Sequence, residues 1–558
     1  MSGRKQDVSC KGDAALLAAH RAGPRQEYRD MRALFDSAVS RGRGRTAIIY
    51  FDQALTYGDI DTASTAMAHW LVGVGITGGD RVAILLQNMP QLIIMTVAAW
   101  KIGAIPVPGN PMYRGQELAR IFADCEPAAL ICLDDHVSHT LAGLELAGLT
   151  PKAMLVTSAG AFQGRNDPRV LPPATDTAQD FPTLEDILAQ SDDASPLAPV
   201  AISPDDLGLI LYTSGTTGAP KGAMIRHSSL AFNAQGLRDA CALGPQSRIL
   251  GIAPFFHITG FSCQIGGMLS AGASIILNYR VEASLLVDMI REHRPTFVIG
   301  AITAFNALMN VPGVTSADMA SFERVYSGGA PVSPALRDQI RDKLGFAIYS
   351  AYGMTETTAQ THLAPFGVDV PVDPVSGALS IGKLVPDTQA RIVDDDGRTL
   401  PVGQVGELLV RGPQVTVGYW RKPQDTAAAL TDGWLRTGDV AFVDEEGWYY
   451  LVDRKKDVII ASGFKVWPRE VEDVLYGCEG IREAAVVGVA DSYRGETVRA
   501  FVSAKPGHVI DPARVIAHCR AHLAAYKVPR TVCVLDDLPK TATGKIQRIA
   551  LRQDAIDN

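Results

Sequence analysis

The sequence is poor in several features that would assign a chain to a class at once. Its eight cysteines are scattered with no CxxC pair among them, so neither a disulfide framework nor a zinc ribbon is predicted, and a reducing compartment fits best. Positive charge is not in excess, because 52 Lys and Arg stand against 60 Asp and Glu, for a formal net charge of −8. A chain with this balance is not expected to have nucleic acid as its main partner.

Long uninterrupted apolar runs are also lacking. The polar start, "MSGRKQDVSCKGD", has no apolar core of the kind found in secretory signals. The run "LIIMTVAAWKIGAIPVP" is interrupted by Lys101 before it reaches membrane-spanning length. We therefore expect a cytoplasmic protein with no integral membrane association.

What the sequence does contain is a regular alternation of strand-like and helix-like segments. Between about residues 30 and 450, apolar runs such as "RVAILL", "LGLILYT" and "TFVIGA" recur between helix-like stretches, which predicts an α/β fold with buried sheets. Residues 390–453 change to short strands and glycine turns, which predicts a small β subdomain. The remaining residues to the C-terminus indicate a compact α+β module.

One segment, "LILYTSGTTGAPKG", combines a predicted strand with a loop of small residues. Residues 207–212 predict a buried strand, so the loop 213–218 leaves the strand end, where ligands of α/β sheets tend to bind. Gly215 and Gly218 can take positive φ and bring backbone NH groups close to a phosphate, while Pro220 holds Lys221 in extended chain. Four hydroxyl side chains add donors, namely Thr213, Ser214, Thr216 and Thr217.

Two other interpretations of this loop are less favoured. A Walker A loop needs GxxxxGK[ST], whereas Lys221 here follows Pro220 and precedes Gly222. A flexible Gly/Ser/Thr linker seldom stands directly behind a buried strand. The segment is therefore interpreted as a phosphate cradle of another kind.

The string "YTSGTTGAPKG" resembles the phosphate-loop signature of adenylate-forming enzymes, the superfamily of acyl-CoA synthetases, peptide-synthetase adenylation domains and beetle luciferases. Further motifs similar to those of the family follow in its order, namely "SGGAP", "SAYGMTET", "WLRTGD", "DRKKD" and "LPKTATGKIQR". The stretches "GPQVTVGYWRKPQDT" and "TAFNALMN" are most similar to bacterial medium- and long-chain fatty acyl-CoA synthetases. The resemblance runs from about residue 30 to the C-terminus. It implies ATP and coenzyme A as co-substrates and Mg²⁺ as the cofactor.

The resemblance also implies roles for individual residues in binding the nucleotide. Tyr352 would stack on adenine, Thr355 would bind the α-phosphate, Asp439 would bind the ribose hydroxyls, and Glu356 with Thr213 would hold Mg²⁺. The complete implied nucleotide set is Thr213, Ser214, Gly215, Thr216, Thr217, Gly218, Lys221, Gly328, Gly329, Ala330, Pro331, Ala351, Tyr352, Gly353, Met354, Thr355, Asp439, Arg454 and Lys545.

In the family, the lysine that matches Lys545 bridges the substrate carboxylate and the α-phosphate. Two anions must meet in this reaction, so a cation that reduces their repulsion stabilises the transition state. The implied catalytic group is Lys545, Thr355, Glu356 and His257. A lone histidine in an apolar stretch is more often a core residue, so a gate or wall of the acyl pocket is the favoured role of His257.

The implied acyl pocket is apolar. Its residues are His257, Phe256, Phe261, Ile302, Thr303 and Ala351. Ala351 departs from the glycine that is common in the family, and its methyl group is expected to narrow the acyl slot. Aliphatic and aromatic acids both satisfy this description, so the acid is left open between them.

The family rotates its C-terminal domain between two half-reactions, which implies three segments here: an N-terminal domain over 1–453, a hinge at 454–457 around Lys456, and a mobile domain over 458–558. After the rotation, Gly463, Phe464 and Lys465 would line the tunnel for coenzyme A. Lys465 departs from the asparagine frequent in long-chain relatives, which weakens its assignment.

Three alternatives remain open at this level. The acyl group could pass to a carrier protein or an amine instead of coenzyme A, and an oxygen-using luciferase has the same scaffold. A noncatalytic nucleotide or acyl-AMP sensor belongs to a different class, and intact Lys545, Glu356 and phosphate loop argue against it. The oligomeric state is also open, with a homodimer among the choices.

Overall fold

The computed structural model describes residues 27–171, 180–191, 197–198, 200–213, 220–454, 457–461, 464–491, 495–541 and 544–557. These residues form a mixed α/β protein, which confirms the predicted fold class of a large N-terminal part followed by a small α+β part. Among them, no helix is both long enough and apolar enough to cross a membrane.

The helices of the N-terminal part are α1 (Met31–Gly42), α2 (Tyr57–Gly73), α3 (Pro90–Lys101), α4 (Gly115–Cys125), α5 (Val137–Ala147), α6 (Leu184–Gln190), α7 (His227–Ala240), α8 (Gly267–Ala271), α9 (Ala283–His293), α10 (Ile302–Met309), α11 (Pro334–Leu344) and α12 (Pro423–Ala429). Those of the C-terminal part are α13 (Pro468–Tyr476), α14 (Pro512–His522) and α15 (Arg548–Asp557). Short 3₁₀ turns cover Asp134–His136 and Thr355–Thr357, and a π-helical segment covers Thr259–Gly266.

The first twelve strands are β1 (Thr46–Tyr50), β2 (Gln53–Thr56), β3 (Arg81–Leu85), β4 (Ile105–Pro108), β5 (Ala129–Leu133), β6 (Ala153–Thr157), β7 (Leu207–Thr213), β8 (Lys221–Arg226), β9 (Arg248–Leu250), β10 (Ser274–Leu277), β11 (Phe297–Gly300) and β12 (Arg324–Gly328). The next eight are β13 (Ile348–Met354), β14 (Ala359–Leu363), β15 (Ser380–Leu384), β16 (Gln389–Val393), β17 (Gly406–Arg411), β18 (Leu430–Thr431), β19 (Trp434–Val443) and β20 (Tyr449–Arg454). The last five are β21 (Ile459–Ala461), β22 (Phe464–Val466), β23 (Ile481–Asp491), β24 (Gly495–Ala504) and β25 (Thr531–Val534).

Two of the sheets carry most of the N-terminal part. A large sheet has the order β16-β17-β19-β20-β15-β14-β13-β12-β11-β9-β10-β1-β2, with parallel pairing from β13 through β12, β11, β9 and β10 to β1. A second, all-parallel sheet has the order β4-β3-β5-β6. Strands buried on both faces by helices need apolar side chains throughout, which explains the near-continuous apolar runs of the sequence.

The apolar run that ends at Lys101 is not a membrane segment. It forms α3, in which every residue from Pro90 to Lys101 is buried. Lys101 is tolerated there because its Nζ contacts the Asp61 carboxylate at 2.7 Å and also donates to the Thr65 hydroxyl at 2.6 Å. A buried charge with these partners costs far less than an unpaired one.

The region predicted as a small β subdomain contains β16 to β20. Its hydrophobic cluster includes Ile392, Leu408 and Leu435 and also takes in Tyr352 of β13 and Ile381 of β15. The region is not a separate sheet, because β20 pairs with β15 and β15 pairs with β14. The C-terminal part has a further sheet, β22-β21-β24-β23 with β25 on β24, and its own core.

Candidate active site

A partly buried polar group forms where side chains of β13, β19 and β20 meet. The Tyr352 hydroxyl donates to Asp439 Oδ2 at 2.7 Å, and Arg454 Nε lies 3.4 Å from Asp439 Oδ1. Asp439 and Arg454 are held face to face because they are direct partners in the β19–β20 ladder. Burial raises the pKa of Asp439 above its ordinary value, and the Arg454 charge opposes this shift. Three residues from separate sequence motifs thus form one site.

The motif "SGGAP" lies beside this group, at the end of β12. Gly328 pairs with Ala351 in the adjacent β13, and a Cβ at Gly328 would lie 2.8 Å from the Ala351 carbonyl oxygen. Gly329 has φ +81°, a conformation that favours glycine. Gly353 of "SAYGMTET" has even less room, since a Cβ there would lie 1.6 Å from the Ala359 carbonyl oxygen. The glycines of both motifs are required by close backbone contacts.

The loop that carries Lys545 reaches this site from the C-terminal part. Gly544 has φ +78°, and a Cβ there would lie 2.4 Å from Thr303 Oγ1, so only glycine allows this approach. The Lys545 side chain lies over Gly329, with its Cε 3.3 Å from the place that a Gly329 Cβ would take. The Thr541 N–H donates to the Lys545 carbonyl at 2.7 Å, which closes the loop into a tight turn.

The electrostatics of Lys545 reflect its surroundings. The pKa of Lys545 is lowered to about 8, chiefly by burial and also by the Arg454 charge, while Asp439 and Glu356 act in the opposite direction. The two cations and two carboxylates are therefore close enough to influence one another. The positive charges of Lys545 and Arg454 allow an anion to bind beside them.

Glu356 lies in the short 3₁₀ turn after β13 and is buried. Its Oε1 accepts a hydrogen bond from the Tyr419 hydroxyl at 2.8 Å, and its backbone carbonyl accepts from the Thr416 N–H at 2.8 Å. Among the described residues there is no cluster of three or more His, Cys, Asp or Glu suited to a metal ion. A single buried carboxylate fits Mg²⁺, which commonly takes one or two protein carboxylates and completes its shell with phosphate oxygens and water.

The phosphate loop is described only at its flanks. The predicted strand is present as β7, and Thr213 pairs with Lys221 at the start of β8. Ser214, Gly215, Thr216, Thr217 and Gly218 lie outside the described residues. Lys221 forms an ion pair with Asp425 on α12, and its Nζ lies 5.3 Å from the centre of the Tyr419 ring.

Tyr419 and Asp425 are site residues that sequence reasoning missed. Tyr419 lies between the Lys221 ammonium and the Glu356 carboxylate, and backbone bonds from Trp420 to Gly222 hold its segment along β8. The only sequence signal was the stretch "GPQVTVGYWRKPQDT", which contains both residues. Neither hydrophobic periodicity nor local composition distinguishes its tyrosine as a site residue. Its contact with Glu356 spans 63 positions in the chain.

The predicted acyl residues lie at the start of a wide helical segment and on α10. Phe256, Phe261 and Ile302 are buried, and His257 immediately precedes Ile258 and the π-helical segment Thr259–Gly266. Burial lowers the pKa of His257 to about 3, and the nearby Lys545 charge adds to the effect, so this imidazole is neutral at pH 7. π-Helical segments are frequent at functional sites.

The residues predicted for coenzyme A are not among those gathered around Lys545. Phe464 and Lys465 lie on the β21–β22 hairpin, and both are exposed. The Phe464 ring, 55% exposed, stacks on Tyr526 of the same C-terminal part with centroids 4.8 Å apart. Gly463 and Lys456 lie outside the described residues.

Comparison with known families and proteins gives matches along most of the chain. The AMP-binding enzyme family matches residues 35–420, and the AMP-binding enzyme C-terminal domain matches residues 470–545. A long-chain-fatty-acid–CoA ligase of Bacillus subtilis is 34% identical over 95% of both chains. A feruloyl-CoA synthase of an Amycolatopsis species is 35% identical over 91% of this chain and 95% of its own.

Solved structures resemble the chain over a similar extent. ATP-bound MatB from Rhodopseudomonas palustris superposes with a TM-score of 0.82 at 29% identity, covering 94% of this chain and 99% of its own. Apo MatB, with the same identity and coverage, gives 0.73. The anthranilate CoA ligase AuaEII in complex with anthranoyl-AMP gives 0.83 at 26% identity, covering 94% and 97%.

Proposed function

Because the chain belongs to the AMP-binding enzyme family and is an AMP-forming acid–CoA ligase that uses ATP, we propose that its acid is an apolar carboxylic acid of the fatty acid class. In the proposed first half-reaction, the carboxylate attacks the α-phosphorus of ATP, and pyrophosphate leaves. In the second, the thiol of coenzyme A attacks the acyl carbon, and AMP leaves. The observation that carries the first half-reaction is the position of Lys545 over Gly329, where the charges of Asp439 and Glu356 act on it.

Each neighbour of Lys545 has a proposed part in the first half-reaction. Asp439 has two carboxylate oxygens for the ribose hydroxyls, with Arg454 beside it, and the ring of Tyr352 offers a face for adenine. Lys545 would then lie between the α-phosphate and the incoming carboxylate. Its charge lowers their mutual repulsion and follows the charge that develops in the transition state.

Glu356 and Thr213 are the residues proposed to hold Mg²⁺. When bound, the ion would neutralise phosphate charge and so favour departure of pyrophosphate. The hydrogen bond from Tyr419 holds Glu356 Oε1 in place. The Lys221 ammonium, which lies near the Tyr419 ring, would bind the outer phosphates. These residues form one wall of the nucleotide site.

The proposed acyl pocket favours an uncharged tail. Phe256, Phe261 and Ile302 are buried apolar side chains, and His257 carries no charge at neutral pH because burial lowers its pKa to about 3. An aliphatic chain loses no hydrogen bonds on entering such a pocket and gains the free energy of burying its apolar surface. The similarity to a long-chain ligase along 95% of the chain supports the same class.

An aromatic acid is the second candidate. It is favoured by the 35% identity with a feruloyl-CoA synthase and by the close superposition on an anthranilate CoA ligase. Phe256 and Phe261 could stack on an aryl ring as readily as they line an aliphatic chain. The two candidates differ in the pocket length they need.

For the second half-reaction we propose a rotation of residues 458–558 about a hinge at 454–457. The rotation would withdraw Lys545 and bring the β21–β22 hairpin, with Phe464 and Lys465, toward the adenylate. Gly463 would leave room for the pantetheine arm. The exposed position of Phe464 supports this, because a side chain that serves a site only after the rotation is expected to be exposed before it, and the Phe464 ring is 55% exposed although it stacks on Tyr526.

ATP–pyrophosphate exchange across an acid panel tests the proposal. The panel holds straight-chain acids of short, medium and long length, cinnamic and benzoic acids, and amino acids, and the products with coenzyme A are identified by mass spectrometry. We expect exchange to rise with aliphatic length and an acyl-CoA product. Preference for aryl acids would favour the second candidate, and a thioester formed only on a carrier protein would overturn the coenzyme A assignment. The Lys545→Ala variant serves as the inactive control.

A further inference from the structure

A buried ionic cluster lies close to Lys545, at Arg548. Arg548 Nη2 lies 2.7 Å from Glu472 Oε2, and Arg548 Nη1 lies 3.1 Å from Asp453 Oδ1 and 3.3 Å from Asp457 Oδ2. Its Nε also donates to Glu472 Oε1 at 3.2 Å. The Arg548 side chain is 18% exposed, and that of Asp453 is 4% exposed. One guanidinium therefore joins three carboxylates with little access to water.

The three carboxylates belong to different sides of the proposed hinge. Asp453 is in β20, in the large sheet, directly before the Arg454 that faces Asp439. Asp457 is the last residue of the proposed hinge, and Glu472 is in α13 of the C-terminal part. Asp453 is also bound from the C-terminal side by the Arg469 N–H at 2.9 Å. Arg548 thus connects the last helix with the final strand of the N-terminal sheet.

The chain between Arg548 and Lys545 can transmit this restraint. Arg548 is the first residue of α15, and Lys545 precedes it by less than one helical turn. The Gln547 N–H donates to the Pro539 carbonyl at 2.8 Å, and Lys540 bridges Ile546 as in a short ladder. A side chain fixed at Arg548 therefore restricts the position of the loop that holds Lys545.

The charges favour the cluster as it stands. Burial opposes the charge on Arg548, but Glu472 and Asp453 outweigh burial and raise its pKa above the ordinary value. Burial raises the pKa of Glu472, and Arg548 opposes this shift. Removing one partner leaves the remaining charges buried without compensation, which costs free energy. Because Asp453 belongs to β20, its bond with Arg548 stabilises the present position of the C-terminal part.

We propose that Arg548 is a positioning residue for acyl-AMP formation, and that its bond with Asp453 is a latch which opens when the C-terminal part rotates. The inference rests on the proposed rotation. Glu472 and Asp457 would travel with Arg548, whereas Asp453 stays in β20. Of the bonds that Arg548 makes, the one to Asp453 must therefore break, together with the Arg469 N–H bond to the same carboxylate. Loss of the Arg548–Asp453 bond should disfavour the pose that holds Lys545 over Gly329 and favour the pose used for thioester formation.

The first test compares half-reactions in Asp453→Asn and Arg548→Gln. We expect acyl-AMP formation, measured by pyrophosphate exchange, to fall about 10- to 100-fold in each, because small displacements of a catalytic group cost this much. Thioester formation from supplied acyl-AMP should be unchanged or faster. In the double variant the loss should not exceed that of the worse single variant, since both substitutions remove the Arg548–Asp453 bond, which can be lost only once. Equal loss in both half-reactions would assign the cluster a purely structural role and overturn the proposal.

The matched controls are Asp457→Asn and Arg514→Gln. Asp457 touches the same guanidinium but is the last residue of the hinge, after Lys456, and would travel with Arg548, so its variant should leave the ratio of the two half-reactions unchanged. Arg514 is an exposed arginine whose nearest carboxylate contact is 4.0 Å, and it controls for loss of a positive charge from the C-terminal part. Thermal unfolding of each variant identifies any that fails to fold. If Arg548→Gln fails to fold, Asp453→Asn, which keeps the side-chain shape, still decides the question.

The second test needs no substrate, so its outcome is independent of the proposed acid and acceptor. Spin labels at Val72→Cys and Val509→Cys, both exposed positions, report the distance between the two parts of the chain in a background without Cys10, Cys478 and Cys533. Asp453→Asn should shift the distance distribution toward a second population, and Asp457→Asn should not. An unchanged distribution in Asp453→Asn would overturn the latch, even where pyrophosphate exchange confirms the reaction.

Discussion

The residues proposed for the two half-reactions have very different surroundings. Lys545 and Asp439 are gathered in a partly buried group, where a Gly544 with positive φ brings the loop against Thr303. Phe464, in contrast, is on an exposed hairpin and contacts Tyr526 of its own part. The chain also superposes better on ATP-bound than on apo MatB. The proposed adenylation residues are gathered and the proposed coenzyme A residues are not, so the proposed function needs two poses of the C-terminal part.

The largest effect is expected from Lys545→Ala. Loss of the cation between two anions should reduce acyl-AMP formation at least about 100- to 1,000-fold, the range seen when one charge-stabilising group is removed. Thioester formation from supplied acyl-AMP should be largely spared, because Lys545 is proposed to leave the site before that step. Pyrophosphate exchange and a thiol-consumption assay measure the two halves. An equal fall in the rates of both half-reactions would show that Lys545 does not act in acyl-AMP formation alone.

Lys456→Pro should give the reverse pattern with a smaller effect. Proline fixes φ and removes an N–H, so it restricts the backbone at the proposed hinge. We expect acyl-AMP to form at a near-normal rate and thioester formation to fall by about 10- to 100-fold because the rotation is impeded. Quenched-flow measurement of acyl-AMP and acyl-CoA in one reaction reports both. A normal rate of acyl-CoA formation would place the hinge elsewhere.

The pH dependence sharpens the comparison further. Burial lowers the pKa of Lys545 to about 8, so the protonated fraction falls to about a tenth one pH unit above that value. At limiting ATP, the rate of acyl-AMP formation should therefore decline above about pH 8. The rate of thioester formation from supplied acyl-AMP should not show this alkaline decline. Because the folded-state pKa is below the unfolded value of 10.5, this group opposes folding below pH 8 and ceases to do so as pH rises. In Lys545→Arg the alkaline limb should disappear, although the rate is lower.

The smallest effect is expected at Ala351, which lies next to Gly328 in the sheet. Ala351→Gly removes one methyl group from the proposed acyl slot, which changes the balance between acids by about 1 kcal/mol, or a few-fold in kcat/KM. Bulkier or longer acids should gain relative to short ones, and adenylation of the preferred acid should keep its dependence on Lys545. A uniform change across the acid panel would show that the methyl group acts on the nucleotide side.

Local motifs allowed some structural features around the candidate site to be predicted. The predicted strand at residues 207–212 is present as β7, and Tyr352, Asp439 and Arg454, which the resemblance grouped from three motifs, lie close together. The alternating apolar runs likewise predicted the α/β fold, because a strand covered on both faces must be apolar along its length. By contrast, the continuity of the small β region with the large sheet through β15 had no local signal.

The residues that sequence reasoning missed have contacts distant along the chain. Tyr419 bonds Glu356 across 63 positions, and Arg548 meets Asp453 across 95 positions. Nothing in the surrounding composition separates these side chains from ordinary surface tyrosines and arginines. Their roles exist only once two distant segments are brought to the same place.

The sequence by itself determined the chemical groups available to this protein: glycines that allow a close backbone approach, the carboxylates of Asp439 and Glu356, and a lysine at position 545 after a glycine. Only the tertiary structure decided which of these groups meet, because the position of Lys545 depends on how the C-terminal part rests against β12 and α10. The physical reason is that residue type fixes charge and hydrogen-bonding capacity locally, whereas interaction energy between charges depends on distance and burial, which folding sets.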